Sequence, residues 1–89
     1  MGDAFVPGVY EHYKGGFYSA LVLARLSEKR DHEVVVYTSL ETGKTWVRPY
    51  SKPLFEGDDC WLDQVQWPDG VTRTRFRLAS IGGARHTGA

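Results

Sequence analysis

Two short strings concentrate the side chains that could do chemistry: Tyr10-Glu11-His12-Tyr13-Lys14-Gly15 and Trp46-Val47-Arg48-Pro49. An aromatic ring beside a cationic group suits a planar or anionic partner, since rings stack and guanidinium groups hold anionic oxygens. Tyr37 is expected to share a strand face with the second string. Together with Tyr37, the two strings predict one contact surface for a protein, nucleic-acid or nucleotide-like ligand. Its expected members are Tyr10, His12, Tyr13, Lys14, Tyr37, Trp46 and Arg48.

Each member also has a structural interpretation. His12 can cap a turn by bonding to backbone, contact a ligand, or act as a general base. Lys14 before Gly15-Gly16 can be a solvated turn residue, because the Walker pattern that would make it a phosphate ligand is absent. Trp46 and Arg48 form either an internal stack or a recognition patch.

No complete catalytic set is visible. A catalytic histidine needs a nucleophile and an orienting acid, and on a strand Glu11 points away from its neighbour His12. Three histidines and Cys60 lack the spacing of a metal site. We therefore assign no catalytic residue, metal or cofactor. The alternative is a hydrolase acting on a nucleotide or nucleic acid, with His12 as base and Lys14 or Arg48 holding anionic oxygens.

Composition predicts one small domain without a general electrostatic attraction to polyanions. The 89 residues carry a formal net charge of +0 and one cysteine. Residues 54–70 hold only acids among their charged side chains and residues 71–89 only arginines, so two neighbouring strands can neutralise each other, or the arginines can form a docking face. The single cysteine and the lack of a membrane-length apolar run or a signal segment favour a cytoplasmic protein.

The pattern of apolar residues and turns predicts short strands. Gly15-Gly16 is a turn, and residues 17–26 read as a strand buried on both sides, although a helix over 19–29 is the alternative. Residues 27–32 read as a loop, 33–40 as a strand rich in Val and Tyr, 41–44 as a turn, and 45–48 as the return strand that Pro49 ends. A symmetric turn would pair Leu40 with Thr45, with the apolar face directed inward and Tyr37, Trp46 and Arg48 outward.

A second hairpin is expected over residues 60–78, with Gly70 left-handed in the turn Pro68-Asp69-Gly70. Its pairing would place Trp61 beside Arg77, Asp63 beside Arg75 and Val65 beside Arg73. An outward face of Trp61, Val65 and Trp67 would favour a homodimer, which makes a self-associating structural module the third functional alternative.

About five short strands joined by small turns predict an all-β fold, a small SH3-like antiparallel β-barrel. Residues 1–78 would form this domain. Residues 79–89, rich in Gly and without apolar periodicity, would form a mobile tail.

The strings and their neighbours resemble a family of small bacterial and phage proteins known as domain of unknown function 1653. The resemblance covers residues 8–56 and rests on Tyr10-x-His12-Tyr13-Lys14-Gly15-x-x-Tyr18, Ala24-Arg25-x-Ser27-Glu28, Val35-Val36-Tyr37 and Trp46-Val47-Arg48-Pro49. It implies an SH3-like barrel with an accessory role and no established reaction. The chain departs from the family pattern after Pro49, where a Met-Phe pair is only approximated, and over residues 57–67, which are longer and more acidic.

Overall fold

The computed structural model describes residues 5–81, which form an all-β domain. Its five-stranded antiparallel sheet has the order β4-β3-β2-β1-β7, and β5 and β6 form a separate small hairpin. Among residues 5–81 no helix could cross a membrane. The seven strands are β1 (Gly8–His12), β2 (Phe17–Leu26), β3 (Lys29–Ser39), β4 (Thr45–Pro49), β5 (Gln64–Gln66), β6 (Thr72–Thr74) and β7 (Phe76–Ile81).

The sheet curls around one aromatic core. Trp61 and Phe76 stack with ring centroids 3.7 Å apart, and Tyr37 meets both rings edge-on at 5.2 and 5.7 Å. Such ring pairs each contribute about 0.5–1.5 kcal/mol beyond the area they bury, which helps a domain of this size.

A loop, rather than strand pairing, spans the gap between the two edge strands. The Trp61 N–H donates to the Pro49 carbonyl at the end of β4, at 2.8 Å, and the Arg75 N–H donates to the Asp63 carbonyl just before β7, at 2.7 Å. The expected all-β fold is confirmed. The expected barrel is not, because within the described chain the edge strands β4 and β7 do not pair and the sheet stays open.

The long second strand is confirmed and the helical alternative for residues 19–29 is wrong, because β2 pairs with β1 on one side and β3 on the other. Burial on both sides is wrong as well. Leu21 sits at an irregularity in the pairing with β3, and its side chain and that of Val22 are exposed. The predicted loop at 27–32 shrinks to Ser27 and Glu28, since β3 begins at Lys29.

The first predicted hairpin has its turn in place but a different register. Thr38, rather than Leu40, lies opposite Thr45, because the Ser39 N–H bonds to the Lys44 carbonyl and the Ser39 hydroxyl accepts from the N–H groups of residues 41 and 42. The predicted orientation of the faces is also wrong. Tyr37 is buried and Val47 is 63% exposed, so the face that carries Tyr37, Trp46 and Arg48 is directed toward the core.

The second predicted hairpin is confirmed over its inner part. Val65 lies opposite Arg73, and Gly70 has a φ of 87° in the turn, as expected. Asp63 also lies beside Arg75, whose N–H donates to the Asp63 carbonyl. The outermost predicted pair, Trp61 with Arg77, is wrong, because the chain leaves the hairpin after Arg75 and β7 pairs with β1 instead. Trp61 and Trp67 are consequently buried rather than exposed, which removes the face on which the self-association alternative depended.

The predicted tail begins too early. Residues 79–81 belong to β7, where Ser80 lies opposite Val9 and Ile81 opposite Gly8. The remainder of the predicted tail, residues 82–89, lies outside the described residues.

Candidate functional site

The first string forms the end of β1 and the turn that follows it. The His12 N–H donates to the Gly16 carbonyl at 3.0 Å, and the Gly15 N–H donates to the His12 carbonyl at 2.8 Å. Gly15 and Gly16 have φ values of 103° and 92°, a region in which side chains with a Cβ are strained. This turn directs the His12 ring back onto the core and leaves Lys14 in solvent.

His12 is held as a neutral imidazole against aromatic rings. Its ring centroid lies 4.7 Å from that of Phe76 and 4.9 Å from that of Tyr13. Nδ1 accepts the backbone N–H of Lys14 at 3.3 Å, so the neutral ring carries its proton on Nε2. Nε2 is buried and has no hydrogen-bond partner among the residues described.

The environment of His12 strongly disfavours its charged form. Burial, followed by the nearby charges of Arg48, Arg75 and Lys14, lowers the pKa of His12 to about 4. The ring is therefore uncharged at neutral pH and cannot serve as a cationic contact.

Cations flank the Tyr13 ring on the same end of the domain. The Lys14 ammonium lies 5.8 Å and the Arg75 guanidinium 5.4 Å from its centroid. Arg75 is buried, and it is paired with Asp59 at 3.4 Å and Asp63 at 3.7 Å. The charge of Arg75 is thus balanced by these two carboxylates. Lys14 is the exposed cation at this end of the domain.

Arg48 ties the second string to the core. Its Nε donates to the Tyr37 hydroxyl at 3.2 Å and its Nη1 to the Asp59 carbonyl at 3.3 Å. Its guanidinium lies 5.5 Å from the Phe76 ring centroid. The internal-stack interpretation therefore describes Arg48, while it does not describe Trp46, whose side chain is 50% exposed.

Trp46 lines an open groove between β4 and the loop that follows it. The groove has a volume of about 430 Å³ and Phe55, which is 76% exposed, contributes to it from the loop. The Asp58 carboxylate accepts the N–H groups of Leu54 and Phe55 at 3.1 and 2.9 Å and so fixes the loop. We call this site the Trp46 groove; it is lined by Tyr37, Trp46, Val47, Arg48, Pro49, Leu54, Phe55, Asp58 and Asp59.

The predicted surface is thus divided among three places. Tyr37, Trp46 and Arg48 belong to the Trp46 groove, and His12, Tyr13 and Lys14 lie at the turn after β1. The two places meet at Phe76, which both His12 and Arg48 contact. Tyr10 lies elsewhere: it is buried, and its hydroxyl donates to the Val6 carbonyl at 2.6 Å.

Sequence reasoning missed several residues that build these places. No sequence pattern points to Phe55, because a loop residue is not part of a periodic apolar run. Arg75 was expected to pair with Asp63, and it does so, but its burial and its bond to the Cys60 carbonyl at 3.2 Å were not foreseen. The role of Phe76 depends on the departure of β7 from the hairpin.

The described residues contain no group of three or more potential metal ligands. Cys60 is a buried free thiol, and burial, followed by the charges of Asp63 and Asp58, raises its pKa. A raised pKa keeps the sulfur in its unreactive thiol form.

Comparison with known proteins places the chain among proteins of unknown function. No curated protein matches the chain. A crystal structure of a DUF1653 protein from Bordetella bronchiseptica is 34% identical, covers 90% of this chain and 94% of its own, and superposes with a TM-score of 0.67. The sequence model for the family described as "Protein of unknown function (DUF1653)" matches residues 8–78. The chain belongs to the DUF1653 family.

Proposed function

We propose that this protein is a non-catalytic, cytoplasmic binding module that holds an extended segment of a partner protein in the Trp46 groove. The observation that carries the proposal is the pair of exposed aromatic side chains, Trp46 and Phe55, that line one open groove on a scaffold anchored by Arg48. Exposed tryptophan beside a fixed arginine is the composition of energetically dominant protein contacts. The curled sheet, in which β7 returns to β1, supports an SH3-like fold for the module.

The charges of the groove favour a peptide over a polyanion. Asp58 and Asp59 line it, and the one cation, Arg48, already donates to Tyr37 and to the Asp59 carbonyl. A phosphate backbone would meet two carboxylates and a partly used guanidinium, which disfavours single-stranded nucleic acid and nucleotides.

The geometry of His12 argues for a binding role rather than hydrolysis. A general base needs an accessible nitrogen with a lone pair, and in His12 that nitrogen, Nδ1, accepts the backbone N–H of Lys14. The other nitrogen is buried against Phe76 and Tyr18. His12 therefore contributes to the shape of the site through its packing.

Selection of displayed random peptides on the intact protein tests the proposal. We expect peptides with a Kd on the order of 10 μM, weakened at least about tenfold by Trp46→Ala. Phe17→Ala is the matched control, because Phe17 is a half-exposed aromatic residue at the start of β2 that does not line the groove. Equal losses from both variants, or binding of an oligothymidine strand in preference to every selected peptide, would refute the assignment.

A further inference from the structure

A second cavity lies away from the Trp46 groove and shares none of its lining residues. Its volume is about 320 Å³, and it lies between the lead-in segment before β1, the residues around Trp61 and the strand β7. Its principal walls are the side chains of Phe5, Tyr10, Tyr50, Trp61, Phe76 and Leu78. We call it the Tyr10 cavity.

The walls of the Tyr10 cavity are aromatic and rigid. Tyr10, Trp61 and Phe76 are at most 8% exposed. The Tyr10 ring meets the Trp61 ring edge-on at 5.2 Å, and the Phe5 ring lies parallel to that of Tyr10 at 6.4 Å. These side chains already belong to the packed core, so the cavity presents preformed ring faces and edges rather than a surface that must be assembled.

Charge is directed away from the Tyr10 cavity. Arg77 borders it along β7, but alternation along the strand places its side chain on the face opposite to those of Phe76 and Leu78. There its guanidinium bonds to Glu11 at 2.9 Å and lies 4.6 Å from the Trp67 ring centroid. The guanidinium of Arg77 is therefore paired with Glu11 outside the cavity.

The polar group that Tyr10 brings to the cavity is a neutral hydroxyl. Burial, followed by the neighbouring Tyr50, raises the pKa of Tyr10, so its hydroxyl stays protonated at neutral pH. The proton is donated to the Val6 carbonyl, which leaves oxygen lone pairs able to accept.

From these contacts we infer that the Tyr10 cavity is a binding site for a small, uncharged aromatic ring that carries one hydrogen-bond donor. An apolar cavity of about 150 Å³ suffices for benzene, so 320 Å³ accommodates a substituted ring or a fused pair of rings. The aromatic walls supply stacking and edge contacts, and the Tyr10 oxygen selects for a donor. Carboxylate and ammonium groups are rejected, because no wall side chain offers them an opposite charge.

Four probes of similar size test the ring, the donor and the charge separately: phenol, toluene, benzoate and benzylamine, each titrated into the ¹⁵N-labelled full chain. We expect phenol to bind with a Kd on the order of 1 mM, with amide shifts at Tyr10, Trp61 and Leu78, and the two ions to bind at least about tenfold more weakly. Toluene, which lacks the donor, should bind more weakly than phenol. In Tyr10→Phe this difference should disappear.

Two variants locate the binding. Leu78→Trp fills the mouth of the cavity from a position that is 40% exposed, so the fold is kept while phenol binding is lost. Trp46→Ala, in the separate groove, should leave the phenol affinity unchanged. Shifts that map to the Trp46 groove, equal binding of benzoate, or undiminished binding by a folded Leu78→Trp variant would overturn the inference. Because the two sites share no lining residue, these outcomes leave the proposed peptide site untouched.

Discussion

The guanidinium of Arg48 lies 5.5 Å from the ring centroid of Phe76, although the two residues belong to the opposite edge strands of the sheet. In a flat sheet of five strands these edges would be about 19 Å apart, from four spacings of about 4.8 Å. The contact therefore measures how far the sheet curls. It also makes Arg48 a structural residue of the groove that it helps to line.

The contacts of Arg48 predict a loss of stability on its replacement. Arg48→Ala removes the bonds to the Tyr37 hydroxyl and the Asp59 carbonyl and the stacking on Phe76, and we expect unfolding to become easier by about 2–3 kcal/mol. Urea unfolding followed by tryptophan fluorescence measures the change. Arg25→Ala, at an exposed position of β2, is the control and should unfold like the wild type. An unchanged urea midpoint in Arg48→Ala would contradict the anchoring role.

The buried Arg75 predicts a contrast between two kinds of ion pair. Arg75→Ala removes a buried side chain and leaves the Cys60 carbonyl without its guanidinium donor, and we expect a cost of about 2 kcal/mol. Lys52→Ala breaks a pair with Asp31 in which both side chains are largely exposed, so the urea midpoint should not change measurably. Similar midpoints for the two variants would show that burial does not decide the strength of these pairs.

His12 predicts a fall in stability in mild acid. Its pKa is about 4 in the folded protein against 6.5 for an unperturbed ring, so between these values the unfolded chain binds more protons. Stability is therefore complete above about pH 6.5 and falls as the pH drops toward 4. Because part of the ring faces solvent, we expect a loss on the order of 1–2 kcal/mol.

Urea unfolding at pH 7 and pH 4.5 measures this loss, with His12→Phe as a control that keeps a ring but cannot be protonated. From pH 7 to pH 4.5 the free energy of unfolding of the wild type, relative to that of the variant, should fall by about 1–2 kcal/mol. Asp31 and Asp69, with pKa values lowered to about 2, lose their contributions only below the usual aspartate value of 3.8, outside this window. A wild type and a variant with parallel pH profiles would contradict the burial of His12.

Trp46 and His12 should respond differently to truncation. Trp46→Ala removes a half-exposed ring, and we expect the Tm to fall by about 4 °C or less. His12→Ala leaves a void beside Phe76 and Tyr13, and the Tm should fall by about 10 °C or more. Calorimetry measures both values. Equal, large decreases would place Trp46 in the core and remove it from the contact surface.

Turn chemistry explains why parts of the fold could be predicted. The turn Pro68-Asp69-Gly70 fixes the pairing of β5 with β6, and Val65 lies opposite Arg73 as expected. The turn between β3 and β4 offered no such constraint, because the Ser39 side chain caps it asymmetrically and moves the pairing by two residues. Side chains alternate along a strand, so a shift of two residues leaves the same residues on one face. The grouping of Tyr37, Trp46 and Arg48 was therefore predicted correctly, while the direction of their face, toward the core, was not.

Long-range pairing explains most of what could not be predicted. Nothing local indicates that β7 leaves its hairpin partner at Arg75 to join β1, and this departure buries Trp61 and brings Phe76 under His12. The two strings could therefore be identified in the sequence, while the residues that join them, such as Phe76, could not.

The segment between β4 and β5 does more than span the gap between the edges. Phe55 lines the Trp46 groove and Trp61 lines the Tyr10 cavity, and both belong to this one segment. An occupant that moves the segment at either site changes the walls of the other. Only if an occupant displaces the segment are the two sites coupled, and thermodynamic linkage then requires that a ring in the cavity and a peptide in the groove alter each other's affinity by the same factor.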